Sequence, residues 1–569
     1  MNSVVSLLRS LAGKIVVPRM EAKYRKFERQ LAAARTVQRE LLLAKIRRAA
    51  PSKFGRDHGF SSIRTVADFR RQVPIQGYDY YWPYVERAAK GDVTAMFPPG
   101  DKLLMYTLSS GTTANPKLIP INRVWMEEYR RGWQLWGIKA FLDHPKLFYA
   151  KLAGIAGNWD MRRTESGLPC GMASGLSART QSPIISMMYS VPACVFEIDD
   201  PDAKYYLALR LAIVENAGMF TTATPATVVN FARLGDRYKE TLVRDIADGT
   251  LTGDLAIPDR IRTELAKRLR IKHAERAREL EAIIARTGRL YPRDYWDMSL
   301  VACWLGGTVG GYARHIPEYY GDVAQRDIGL LCSEGRFTIP IEDGTPAGVL
   351  EVASHYFEFV PTGEIDSPHP TVLECHELEV GKDYFVLPTT SCCLYRYHIS
   401  DVLRCVGYHG EAPVVEFLNK GQRFSDMEGE KISEHQLVEA VASASQKLSL
   451  PIGGFTAVPI RPEAPAAPYY AIMIEEQDVA EPAAGEKLLR AVDDWLAGNN
   501  VMYQGKRIDR YLAPPRLIAV PRGTWAAYDR SEIQRRGVGE DHYKHPSLVL
   551  DPEFATRFPV RGEIKLPTS

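Results

Sequence analysis

Apolar positions change their spacing along this chain, and each change predicts a different kind of element. From Glu21 to Ala50 the composition is rich in Ala, Leu, Arg, Lys and Glu, with no glycine or proline, which predicts one helix closed by Pro51. The preceding residues, MNSVVSLLRSLAGKIVVPRM, predict a short amphipathic helix, and Phe69 to Lys90 is dense in aromatics and ends in another helix. Lys102 to Tyr106 and Leu118 to Ile121 are short apolar runs, read as strands, joined by the polar loop LSSGTTANPK from Leu108 to Lys117. Asn122 is a candidate N-cap, and Trp125, Tyr129, Trp133 and Trp136 follow at helical spacing, so that one helix face is aromatic. Gly154 to Ser190 lacks a period and predicts a long loop or lid, and Arg260 to Thr287 predicts one exposed, charged helix.

From Leu300 onward short apolar runs alternate with glycine-rich turns, which predicts strands of one large mixed sheet. The character changes once more near Asn419 to Lys431. Ser433 to Leu448 predicts a capped helix, Gly454 to Ile460 and Pro468 to Glu475 a strand pair, Glu486 to Gly498 a helix and Arg516 to Val520 a strand. The fold class is therefore α/β, or mixed α+β: a large N-terminal domain over 1–420, a hinge over 421–431 and a small, mobile C-terminal α+β domain over 432–569.

Length and composition narrow the function classes. A chain of 569 residues is too long for one ordinary core, and 45% hydrophobic with 25% charged residues is typical of a globular protein. With 72 basic against 69 acidic residues there is no field to favour nucleic acid. No run approaches the ~18 apolar residues of a membrane helix, and Arg9 and Lys14 interrupt the N-terminal apolar patches. The eight cysteines form no CxxC pair, which fits a reducing cytoplasm better than a disulfide framework or a zinc site.

Four stretches carry candidate chemistry. In the loop, Gly111 permits a sharp turn whose N–H groups can converge on an anion, Ser109, Ser110, Thr112 and Thr113 add hydroxyl donors, and Lys117 adds a compact charge. The spacing is not that of a GxxxxGK[ST] phosphate loop, and a polar β-turn is the plain alternative. Cys332, Ser333, Glu334 and Gly335 set a carboxylate beside a glycine, suited to a hard cation such as Mg2+. Tyr395, Arg396, Tyr397, His398, Ile399, Ser400 and Asp401 end in a carboxylate that could accept from a ribose diol. Lys544 stands in HYKHP near the C-terminus.

The order of these stretches is informative. SSGTTANPK, YFEFVP at Tyr356 to Pro361, LYRYHISDVLRCVGYHGEAPVVEFLNK at Leu394 to Lys420 and the late YKHP resemble the GH3 family of acyl acid amido synthetases, a branch of the adenylate-forming superfamily. The likeness runs from near Lys23 to the end. It implies an ATP- and Mg2+-dependent ligase that converts a small carboxylic acid to an acyl-adenylate and passes the acyl group to an amine or amino acid. By the same resemblance Ser109, Ser110, Gly111, Thr112, Thr113 and Lys117 match the loop on the ATP phosphates. Cys332 and Ser333 lie against the nucleotide, with Tyr395 and Arg396 leading to Asp401 on the ribose. The resemblance also makes Glu334 the expected metal ligand and matches Lys544 to the lysine that enters the site for adenylation.

Gly306, Gly307 and Thr308 match the wall of the acyl and adenine pockets, and Trp125 and Tyr129 are candidates for contact with the acid. Cys332 stands in place of a serine, and His398 and Ser400 in place of an arginine and a glycine common in plant members. An acyl-CoA ligase and a non-catalytic nucleotide-binding homologue are the alternatives. A monomer is expected, with a homodimer second, and partners that are small molecules rather than nucleic acid or membrane.

Overall fold

The computed structural model describes residues 2–566 except 110–116, 308–312, 366, 422, 423, 426, 429, 431, 464, 465, 480, 509, 510 and 537–542. The N-terminal helix Asn2–Ala32 runs through Pro18, and a second helix, Ala34–Ala49, follows a break at Ala33. The expected single helix over 21–50 is thus two. No local residue signals the break; a distant turn makes it. Glu411 donates its N–H to the Leu31 carbonyl (2.9 Å) and accepts from the Arg35 N–H (3.1 Å). Gly410 lies so close that a Cβ there would stand 2.8 Å from Ala32 Cα.

Strands Leu103–Ser109 and Lys117–Asn122 pair antiparallel as expected and continue into a four-stranded sheet through Pro169–Gly171 and Arg162–Arg163. Helix Arg123–Asp143 follows directly, its first turn capped by the Asn122 side chain, which accepts from the Trp125 N–H at 2.9 Å. The region 154–190, expected as an open loop, contains two short strands and the helices Ala173–Arg179 and Pro183–Ser186. The charged stretch 260–287 is two helices, Asp259–Leu269 and Ala274–Thr287, parted where the His273 N–H donates to Ile246 O (3.0 Å).

One large mixed sheet does not form. Leu300–Ala302 joins Lys151–Gly154, Ala217–Thr221 and Ala324–Arg326 in a parallel four-stranded sheet. The later strands make a seven-stranded sheet whose pairs are all antiparallel, in the order Thr338–Ile339, Gly348–Leu350, Ala412–Lys420, Asp401–His409, Asp383–Thr389, Tyr356–Pro361, Leu373–Glu374. A fully buried parallel strand reads as a plain apolar run, so spacing cannot assign it to a sheet. Among the described residues two large buried clusters serve this part, one around the aromatic helix and the antiparallel sheet, one around the helices that cover the parallel sheet, with a small third of Phe385, Val402 and Leu418.

Residues from Met427 onward have cores of their own. Helices Glu434–Leu448 and Pro482–Asn499 pack on the sheet Phe455–Ile460, Tyr469–Glu475, Arg516–Val520, Gly562–Lys565. Ser433 and Gln436 close a capping box at the first helix. Glu430 ties the connecting segment to this unit, since its carboxylate accepts from Met427 N (2.9 Å), Glu428 N (2.7 Å) and the Tyr470 hydroxyl (2.5 Å).

The stretch between the strands Asp383–Thr389 and Asp401–His409 is fixed by one buried carboxylate. Glu358 on Tyr356–Pro361 is 0% exposed and accepts from Arg396 Nε at 2.8 Å and Arg70 Nε at 2.7 Å. Arg396 also donates to the Val73 carbonyl (2.8 Å). Around it the backbone coils tightly: Cys393, Arg396 and Ser400 have φ of 64°, 49° and 68°. A left-handed conformation costs a residue with a Cβ ~1–2 kcal/mol, and buried contacts must offset it.

Two stability outcomes follow. Glu358→Ala leaves two guanidinium groups facing each other inside the fold and is expected to cost about 3–5 kcal/mol, read as a fall in the urea midpoint, with Arg70→Ala costing less because its side chain is part exposed. Ser400→Gly removes the left-handed penalty and is expected to raise the thermal midpoint by about 0.5–1 °C, since glycine's added freedom in the unfolded chain cancels part of the gain.

Candidate active site

Three segments converge beyond the ends of the strands. The first is the hairpin whose strands end at Ser109 and begin at Lys117, paired with each other in register. The loop residues Ser110, Gly111, Thr112 and Thr113 lie outside the described residues. Lys117 places its ammonium 5.3 Å from the centre of the Tyr78 ring. The Tyr78 hydroxyl in turn donates to Leu118 O (2.8 Å) and accepts from Leu118 N (2.9 Å), which locks the base of the loop.

The second segment is a tight hairpin. Leu331–Cys332 pairs with Gly335–Arg336, so Ser333 and Glu334 form its two-residue tip. The tip is held by its backbone: Trp125 Nε1 donates to the Glu334 carbonyl at 2.7 Å, and Thr107 Oγ1 to the Ser333 carbonyl at 3.4 Å. Gly335 is required by proximity, because a Cβ there would meet His355 Nε2 at 2.5 Å. Glu334 itself is only 3% exposed.

The third segment is Leu394 to Asp401. Gln76 bridges to Tyr397 and accepts from the His398 N–H (2.8 Å), which brings Tyr78 alongside. Asp401 opens the strand Asp401–His409 opposite Lys420 and is buried. Burial pushes the Tyr397 hydroxyl and the Cys332 thiol well above their ordinary pKa values, and the charges of Glu334 and Asp401 push both further. Two carboxylates therefore act on one small region, and Cys332 stays a neutral thiol there.

Not every expected residue turns toward this region. The Tyr395 ring is 2% exposed and stacks on Phe54 at 5.3 Å, and the Arg396 guanidinium is taken up by Glu358 and the backbone. Both side chains hold the segment from behind. Trp125 stacks on Tyr129 at 4.9 Å and does not line the cavity described next, whereas Tyr129 does. Gly306 and Gly307 line a cleft against the small domain rather than that cavity, and Thr308 lies outside the described residues.

Beside the Cys332–Glu334 tip opens a cavity of about 580 Å³. Tyr129, Trp133, Trp136 and Phe141 of the aromatic helix form one wall, and the segment from Met172 to Tyr189 forms the other. Its inner end is made by Thr107, Cys332 and Ser333. Arg130 is the charged residue of this wall, and its guanidinium donates to Thr180 O at 2.9 Å, tying helix to facing segment. The aromatic face read from the sequence thus lines an apolar chamber, as volume and lining suit an organic ligand.

Lys544 arrives from the small domain. Its ammonium lies 4.8 Å from the Trp304 ring centre and 4.7 Å from that of Phe417, and its charge acts on the buried Asp327 carboxyl. Burial lifts that carboxyl to about 6 against the N–H groups of Leu305 and Gly329, which donate to it at 2.7 and 2.6 Å. Among the described residues no three His, Cys, Asp or Glu side chains gather into a metal cage. A single buried carboxylate at a hairpin tip fits Mg2+, which takes one or two protein carboxylates and completes its shell from phosphate and water.

Tyr78, Gln76, Thr107, Trp304 and Phe417 were not singled out by sequence reasoning. Tyr78 had a signal, the crowd of tyrosines in QGYDYYWPY, but it reads equally well as core. Trp304 and Phe417 gain their place only through Lys544, some 120 residues and more away along the chain.

Comparison with known proteins covers most of the chain. Residues 23–325 match the GH3 family N-terminal domain, 348–420 the GH3 family central domain and 435–553 the GH3 family C-terminal domain. The chain is 25% identical to the probable indole-3-acetic acid-amido synthetase GH3.1 of Oryza sativa subsp. japonica, over 92% of this chain and 88% of that protein. It is 23% identical to the jasmonoyl–L-amino acid synthetase JAR4 of Nicotiana attenuata, over 73% of this chain and 74% of that protein. Its fold superimposes on the GH3.15 acyl acid amido synthetase with a TM-score of 0.83 at 19% identity, covering 96% of this chain and 97% of that one. With family matches spanning most of its length and the same fold throughout, this chain belongs to the GH3 family.

Proposed function

We propose that this protein is an ATP- and Mg2+-dependent ligase that adenylates an apolar carboxylic acid and transfers the acyl group to an amine, an amino acid by preference, to form an amide. The observation that carries the reading is the junction at the Cys332–Glu334 tip, where an aromatic-lined cavity of about 580 Å³ meets two buried carboxylates and the base of a glycine-hydroxyl loop. The relatives' names, amido synthetases for indole-3-acetic acid and for jasmonic acid with amino acids, support the same class.

In this reading the cavity receives the body of the acid, and its inner end holds the carboxylate toward the tip. Ser109 to Thr113 and Lys117 hold the phosphates, and Asp401 accepts from the ribose hydroxyls. Glu334 would hold Mg2+, which when bound neutralises phosphate charge and orients the α-phosphate. An acid oxygen attacks the α-phosphorus, and pyrophosphate leaves. Holding the two anions in line and stabilising the charge that builds on phosphorus supply the rate, with Lys544 as the mobile cation. The amine nitrogen then attacks the acyl carbon, loses its proton, and AMP departs. The domain division at 421–431 serves this sequence, since Lys544 is needed for the first step and the amine needs its room for the second. Because Glu430 is bound to the small unit, the pivot falls ahead of Met427.

Pyrophosphate release with benzoate, cinnamate, indole-3-acetate and octanoate, each with and without a mixture of amino acids, tests the reading. The expected result is release with at least one apolar acid, an amide product when an amino acid is present, and a loss of about 10²-fold or more in adenylation for Lys544→Ala. Turnover that needs coenzyme A in place of an amine would overturn the amide assignment. A second expectation concerns the metal: Glu334→Gln lowers adenylation about 10²-fold and raises the Mg2+ concentration needed for half-maximal rate, whereas removal of Mg2+ abolishes release in the wild type.

A further inference from the structure

Lys544 is held by two aromatic rings of the other domain, and those rings border different spaces. Trp304 lines both the acid cavity and a small chamber of about 40 Å³ that also contains Lys544 and Asp327. Phe417 lines that chamber and the cleft of about 320 Å³ between the domains, but not the acid cavity. Each ring has supports of its own in the large domain. Trp304 donates its indole N–H to Gly329 O at 2.8 Å and its backbone N–H to Ala223 O at 2.9 Å. Phe417 sits in the strand Ala412–Lys420, opposite Leu403, and packs on Gly307, where a Cβ would stand 3.1 Å from its ring.

An ammonium between two ring faces is attracted by both quadrupoles, yet Lys544 remains exposed and keeps much of its hydration. Such a clamp is strong enough to bias where the cation rests and weak enough to release it. Since Lys544 belongs to the small domain and the rings to the large one, the clamp is also a contact between domains.

We propose that Trp304 and Phe417 are positioning residues that hold Lys544 for the adenylation step, and that Trp304, as the wall shared with the acid cavity, makes this positioning respond to the acid bound there. The inference rests on the reading of Lys544 given above. An acid that fills the cavity packs against the Trp304 side and steadies the ring; an empty or underfilled cavity leaves one jaw of the clamp unsupported. Phe417 has no such connection, so the two rings differ in what their loss does.

The test uses the full chain and the panel acid with the highest kcat/KM, with pyrophosphate release and aminolysis of chemically supplied acyl-adenylate measured separately. Each ring is worth about three- to fivefold in the population of correctly placed lysine. Phe417→Leu is expected to lower the kcat of adenylation by that factor with the acid KM unchanged. Trp304→Leu is expected to lower kcat equally and raise the acid KM, and Trp304→Phe to restore kcat while the acid KM stays raised. Aminolysis should run at the wild-type rate in Phe417→Leu, and in the Trp304 variants at saturating acyl-adenylate, whose KM rises there as the acid KM does.

The clamp is overturned if both leucine variants keep the wild-type adenylation rate, if they slow the two half-reactions alike, or if Trp304→Phe fails to restore kcat. Its link to the acid is overturned if Trp304→Leu leaves the acid KM untouched. Failure of the underlying reading looks different: Lys544→Ala would then adenylate as fast as the wild type.

Discussion

A carboxylate with no solvent exposure, Glu358, sets the geometry on which the rest depends. Two guanidinium groups approach it from distant parts of the chain, Arg70 from the N-terminal helices and Arg396 from the turn that leads into the strand Asp401–His409. Charges buried in this way are stable only together, since removal of either sign leaves the other without water or partner. The pair therefore fixes Arg396 inward, and with Arg396 inward the chain must coil through left-handed residues before it can start the strand at Asp401. The position of Asp401 at the site is thus set by an interaction on the far side of its own backbone.

The site shows the same division of labour throughout. Trp125, Tyr78, Gln76, Tyr395 and Arg396 work behind the surface and hold backbone groups in place. Glu334, Lys117 and Asp401 stand at the front. Keeping positioning and chemistry on separate residues lets the front remain polar without leaving buried groups unsatisfied, because the supporting hydrogen bonds go to carbonyls and N–H groups that need partners in any case. The apolar cavity joins this arrangement only at its inner end.

What was legible in the sequence was local. The Asn122 cap, the aromatic face of the following helix, the Ser433 capping box and the strand pair after it all depend on neighbours within a few residues, and each formed where its pattern predicted. What was not legible depended on distant chain. The break at Ala33 is imposed by a turn at Gly410 and Glu411, the assignment of Leu300–Ala302 to a parallel sheet by its crossovers, and the inward turn of Arg396 by Glu358. The resemblance supplied the family, which the matches along the chain bear out, but a motif gives residue order and not side-chain direction. Trp125 and Tyr129 sit on the same helical face, and only the packing of the Glu334 tip decides that the first becomes a support and the second a wall.

At the hairpin tip the carbonyls of Ser333 and Glu334 accept from Thr107 and Trp125. A loop anchored by peptide groups keeps its shape whatever residues it displays, apart from Gly335, whose neighbour His355 forbids a side chain. Evolution can then exchange the displayed groups one at a time, a thiol for a hydroxyl at Cys332 among them, and tune reactivity without first rebuilding the scaffold.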